Sequence, residues 1–246
     1  MVTASPLRHR VSGQGRPAVV LLNGGGARMD FWDKVEPTLA AHATVVAYDR
    51  VLPAGYRAAP VPLGASAVEQ VRQLLGALGI EPPWLLVGHS LGGLYANLHA
   101  RLHPAEVAGV VMVDSTHPEQ ERRFASAPSL PTSFFRGALA FYDRLFGPGP
   151  LTEVVRAQDI GDEVVAAPGF PAIPLAVITA GKVPPTWMIP AHLWRMHLDN
   201  QMELAGLSPQ GRQIVAAHSD HLIPQREPAL VVEAVVQMLN HLRAQP

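Results

Sequence analysis

Gly88-His89-Ser90-Leu91-Gly92, with Gly93 directly after, sets a serine among small residues. The apolar run Trp84 to Val87 precedes it, and a helical pattern from Leu91 to Leu102 follows. A strand that turns sharply into a helix forces strained backbone angles on the residue at the turn, and glycines beside it spare the neighbouring strand and helix a collision. Such a turn lifts the Ser90 hydroxyl above a sheet and leaves it at a helix N-terminus, where developing negative charge is favoured. The chemistry this predicts is nucleophilic attack on an acyl carbon. A serine hydroxyl is a poor nucleophile at neutral pH, so a base must stand within hydrogen-bond reach, and the chain holds eleven histidines.

Composition closes off other chemistries. Cysteine is absent, which excludes a thiol nucleophile, a disulfide scaffold, a Cys-ligated zinc and an iron–sulfur cluster. Nineteen Lys and Arg against twenty Asp and Glu leave a formal net charge of −1 and no field to gather nucleic acid. The 246 residues suit one domain, or one domain with an insertion. No apolar run approaches the ~20 residues of a membrane helix, and Met1 to Arg16 lacks the apolar stretch of a secretory signal. A soluble, cytoplasmic protein is expected.

The elements that must position Ser90 follow from periodicity. Val19 to Leu22, Val45 to Tyr48, Trp84 to Val87, Val107 to Val113 and Leu175 to Ile178 are continuous apolar runs of strand length, and Arg212 to Ala217 is a sixth candidate strand. Helical patterns at Phe31 to Ala41, Ser66 to Leu78, Leu91 to Leu102 and Ala229 to Leu242 lie between or after them. The alternation predicts an α/β fold with a mostly parallel, doubly wound sheet. Ligands in such sheets collect at the carboxyl ends of the strands. The alternation fails over 115–171, where Phe124, Phe134, Phe135, Phe141 and Phe146 are interspersed with prolines. That stretch is expected to be a helical lid inserted into a core of 1–114 and 172–246.

These residues resemble the α/β-hydrolase superfamily, in particular its lidded serine esterases and lipase-like members. The resemblance is carried by Val19 to Gly26, Tyr48-Asp49-Arg50, the Ser90 turn with Tyr95 in the following helix, Val113-Asp114 and Ser219-Asp220-His221. It implies a Ser–acid–His triad in that chain order and hydrolysis of an ester or related acyl bond. It places the base in the loop after the last strand, where His218 and His221 lie, and its pattern of a base ahead of an apolar pair favours His221, before Leu222-Ile223. Many members carry the acid after the strand that is here Leu175 to Ile178, yet Ala180 to Thr186 holds no carboxylate. Asp114, a position some lipase-like members use, is therefore the expected acid. Its rivals are Asp199, on an amphipathic stretch from His192 to Leu204, and Asp220, too close in sequence to orient His221 well.

An acyl transfer also needs donors aimed at the oxyanion. The Leu91 N–H, next after the nucleophile, is one, and the N–H of Gly25 in the loop Asn23-Gly24-Gly25-Gly26 is the second. His218 and His221 imply no third ligand, so no metal is expected, and the triad requires no cofactor. The expected function is a serine hydrolase acting on a neutral, fairly hydrophobic carboxylic ester, a small-molecule substrate that Phe134 and Phe141 would help to bind. The same groups would serve an acyltransferase or a perhydrolase, and the same fold can carry a ligand-binding receptor.

Overall fold

The computed structural model describes residues 7–50, 62–126 and 152–245. Seven strands form one sheet: β1 His9–Ser12, β2 Val19–Leu22, β3 Val45–Tyr48, β4 Trp84–His89, β5 Val107–Val113, β6 Leu175–Ala180 and β7 Gly211–Ala216. Their order is β1-β3-β2-β4-β5-β6-β7, with β1 antiparallel to β3 and every other pairing parallel. The expected mostly parallel α/β sheet is what forms.

Successive residues of a strand face opposite sides, and here both sides are apolar layers. Val20, Leu22, Leu86, Val110, Met112 and Val177 enter one layer with helices α2 Ala65–Ala77, α3 Leu91–Leu102 and α6 Ala157–Ala166. Val19, Leu21, Val87, Val111, Val113 and Ile178 enter the other, with the short helix α1 Glu36–Leu39 and the long α9 Pro228–Arg243. Each fully buried Val or Leu contributes roughly 1.5–3 kcal/mol of transfer free energy. The sheet is therefore a rigid platform for whatever stands at its carboxyl edge.

Two elements differ from expectation. Phe31 to Ala41 is no continuous helix but a 3-10 turn at Met29–Trp32 followed by α1, whose second residue is Pro37; proline is tolerated in a first turn and disrupts a helix interior. β1 carries no apolar run, because as an antiparallel edge strand it alternates exposed and half-buried residues. β7 closes the opposite edge and is likewise mostly unburied. The remaining helices are α4 Gln120–Ser126, α5 Thr152–Val155, α7 Ala191–Ala205 and α8 Ile223–Arg226. Phe134 and Phe141 lie outside the described residues. Among those described, no helix is long and apolar enough to cross a membrane.

Candidate active site

β4 and β5 pair in parallel register, with Gly88 opposite Met112 and His89 opposite Val113. Ser90 and Asp114 thus leave the sheet side by side, and both have positive φ, 53° and 44°, as no other non-glycine residue does among those described. Backbone ties hold the pair of turns: the Ser90 N–H donates to Val113 O at 3.0 Å, the Asp114 N–H to Ile178 O at 2.7 Å, and the Thr116 N–H to Ser90 O at 3.1 Å. Two glycines make the Ser90 turn possible. A Cβ on Gly88 would stand 2.4 Å from the Gly92 carbonyl oxygen, and one on Gly92 would stand 2.1 Å from that of Leu22.

Asp114 is nearly fully buried, and three elements aim donors at it. Its Oδ2 accepts from His221 Nδ1 at 2.7 Å, and its Oδ1 accepts from His197 Nε2 at 3.0 Å and from the Ala180 N–H at 2.9 Å. Burial alone would raise this carboxyl, but the bonds from His197 and His221 outweigh it and hold Asp114 well below the usual carboxylate range. Facing a carboxylate, His221 must carry its proton on Nδ1, which leaves Nε2 free to accept one. His89 holds His221 from the other side. Its Nε2 lies 2.8 Å from the His221 carbonyl oxygen, and its ring stacks on Phe31, with centroids 4.6 Å apart. Burial and the neighbouring His221 push the His89 imidazole down to about 3, so it stays neutral where His221 works.

The loop after β2 passes directly beside the serine. A Cβ on Gly24 would lie 3.3 Å from Ser90 Cβ, and one on Gly25 would lie 3.4 Å from a methyl carbon of Leu91 and 2.5 Å from one of Val154. Leu91 opens α3, where an N–H has no intrahelical acceptor. A buried ion pair fastens this loop. Arg50 donates to both Glu153 oxygens, at 2.8 and 3.0 Å, and to Asn23 O at 2.9 Å, while Glu153 Oε1 accepts the Gly26 N–H at 3.0 Å. The guanidinium also lies over the Tyr95 ring, 4.4 Å from its centroid. Trp32 and Tyr48 hold the Asn23 side chain, each through one hydrogen bond of 2.8 Å.

Ser90, Asp114, His197 and His221 share the wall of a cavity of about 520 Å³. Phe124, Met188, Ile189, Leu193, Trp194 and Leu222 supply most of its apolar lining, and Lys182 and Asp220 stand on the wall as charges. No hydrogen bond joins Ser90 Oγ to the His221 ring, though both line this cavity; such catalytic contacts tighten in the Michaelis or transition-state complex. A larger concavity, about 600 Å³, opens at the amino-terminal ends of β4, β5 and β6 and is remote from these groups.

A family model described as the alpha/beta hydrolase family matches residues 19–234. The chain belongs to the alpha/beta hydrolase family. It is 38% identical over 107 residues to a pimeloyl-[acyl-carrier protein] methyl ester esterase of Klebsiella pneumoniae (strain 342), a match covering 42% of this chain and 38% of that protein. It is 34% identical over 113 residues to a fluoroacetate dehalogenase of a Burkholderia species, covering 42% and 36%. The matched part thus spans well under half the length of these curated relatives. A thermophilic esterase from Thermogutta terrifontis shares the fold at a TM-score of 0.64, with 21% identity over 98% of this chain and 96% of that one.

On this hydrolase frame the structure brings together Ser90, Asp114, His221, Leu91 and Gly25, the residues singled out from sequence. Asp199 is exposed on α7, and Asp220 pairs with Arg226 at 2.9 Å rather than with His221. His218 is exposed and donates its backbone N–H to Glu227. Sequence reasoning missed His89, His197 and the Arg50–Glu153 pair as parts of the site. For His197 a signal was present: it falls four residues after Leu193 and four before Gln201, on the stripe of α7 that packs inward.

Proposed function

We propose that this chain is a serine hydrolase that cleaves a neutral, apolar carboxylic ester. Ser90 Oγ attacks the carbonyl carbon while His221 Nε2 takes its proton, and the amides of Leu91 and Gly25 receive the charge that develops on the carbonyl oxygen. His221 then returns the proton to the departing alkoxide, which leaves as the alcohol and Ser90 as an acyl ester. Water repeats the sequence and releases the acid. Asp114 fixes the tautomer of His221 and stabilises the imidazolium.

The observation that carries this reading is the 2.7 Å bond from His221 Nδ1 to a buried Asp114, at a cavity that Ser90 also lines. The aliphatic and aromatic lining supports an apolar substrate. Within the expected insertion 115–171, the part that includes Thr116, Gln120 and Phe124 is proposed to cap this cavity, supported by their place in its wall, while α6 packs in the layer beside the sheet. The test is turnover of p-nitrophenyl esters of graded chain length, with fluorophosphonate labelling mapped by mass spectrometry. Ser90→Ala should lower kcat by on the order of 10⁴-fold or more with the fold intact, and should abolish labelling. Activity loss through label on another serine would overturn the assignment.

A further inference from the structure

Asp114 binds two imidazoles, and the triad accounts for one. His197 reaches Oδ1 from α7, which also lines the cavity through Leu193 and Trp194, and its ring is held in place by stacking on Trp194 with centroids 5.2 Å apart and planes 25° from parallel. The His197 side chain is only 16% exposed, so little water competes for this contact. We propose that His197 is a positioning residue: its Nε2–H pins the Asp114 carboxylate in the orientation that meets His221 and takes up part of its negative charge, which keeps His221 a weaker base. The inference rests on the Ser90–His221–Asp114 reading above.

The physical argument concerns competition for one anion. A carboxylate that gives one oxygen to His221 alone would be the stronger partner for an imidazolium and would raise the basicity of His221. Two donors on Oδ1 disperse that charge. They also resist rotation of the carboxylate, because turning it would break the bonds to Ala180 and His197. With His197 gone, Oδ1 keeps a single donor in a buried setting, and the carboxylate becomes both freer and more basic. The sign is the same whether His197 is neutral or charged, since either form draws charge from Asp114.

The other titratable and charged groups around this cluster must stay constant for a test to be read. They are His89, whose ring lies 4.7 Å from that of His221, then Lys182 and Asp220 on the cavity wall, with Arg226 paired to Asp220. Farther along α7 stands Glu203, paired with Arg123 and His117. None of these changes in the variants below.

The experiment compares wild type, His197→Phe and His197→Gln. Phenylalanine keeps a ring against Trp194 and removes the donor, whereas glutamine places an amide N–H near the position of Nε2. In His197→Phe the acidic limb of kcat/KM should move up by about 0.5–1 pH unit, and kcat should fall roughly 10- to 100-fold with KM changed less than about twofold. His197→Gln should restore most of both. A midpoint that stays put or moves down in His197→Phe would overturn the proposal, including where stability falls, because a purely structural role changes stability without moving that midpoint. Should His197→Phe fail to fold, assigned NMR of the wild type decides: an exchange-protected Nε2–H signal assigned to His197 and displaced in Asp114→Asn supports the proposal, and its absence, or its constancy in Asp114→Asn, overturns it. Absence of fluorophosphonate labelling at Ser90 in the wild type would instead sink the catalytic reading, and the NMR result would stand apart from it.

Discussion

At the scale of single residues, the chemistry depends on which atoms can donate. Asp114 is an acceptor three times over, so replacing it with asparagine turns one oxygen into an NH2 that must face either His221 or the pair formed by His197 and the Ala180 N–H. Neither orientation satisfies all the donors. Asp114→Asn should cost about 10⁴-fold in kcat and about 1–3 kcal/mol of stability, measured by steady-state kinetics and urea denaturation. Asp199→Asn, on an exposed helix position, should change kcat by less than about tenfold. The reverse ranking would move the acid. Ser90 and His221 were legible because each sits in a local pattern, a glycine-flanked turn and a loop ahead of an apolar pair. Asp114 was legible by position only. His197 was not singled out, because a histidine on an amphipathic helix says nothing of a partner 83 residues earlier.

At the scale of elements, the frame of the site is a loop held by a buried charge pair. Strands announced themselves as apolar runs because both of their faces are covered, and edge strand β1 escaped notice because its faces are not. The pairing of Arg50 with Glu153 spans 103 residues and has no local signature. Breaking such a pair from one side leaves an uncompensated buried charge, which costs about 3–5 kcal/mol, whereas replacing both partners with apolar residues of similar volume can be neutral or stabilising. Glu153→Gln should therefore be strongly destabilised in urea. Arg50→Met combined with Glu153→Leu should regain most of that stability and still lose the acceptor for the Gly26 N–H, so its kcat should remain roughly 10- to 100-fold low. Recovery of kcat together with stability would show that the pair serves the fold alone and not the loop.

At the scale of the whole molecule, the buried histidines set how the fold meets acid. His89 is pushed down to about 3, and His99, packed edge-on between Trp84 and His103, is pushed down to about 4 by burial first and the neighbouring His103 second. Unfolded, both take up a proton near pH 6.5. Between those limits the unfolded chain binds more protons than the folded one, so stability falls as pH drops below about 6.5, by at most about 1.4 kcal/mol per pH unit for each group. Asp114 acts lower: its contribution is complete above about 3.9 and is lost only below it. His99→Phe should flatten the denaturation midpoint against pH between about 4 and 6.5 and leave kcat/KM at pH 7 unchanged within about twofold; an unaltered slope would assign the acid sensitivity elsewhere. The place of Ser90 and Asp114 just beyond the last rung of β4 and β5 matters on a longer timescale as well. Because ladder pairing of β4 with β5 fixes their separation, the part of the chain between Asp114 and β6 that lies outside the buried face of α6 can change without moving the two groups apart. Among the ties that cross this division in the described residues, the one from Glu153 to Arg50 also holds the Gly26 N–H, so a transplanted segment would keep the loop after β2 in place only if it returned a carboxylate there.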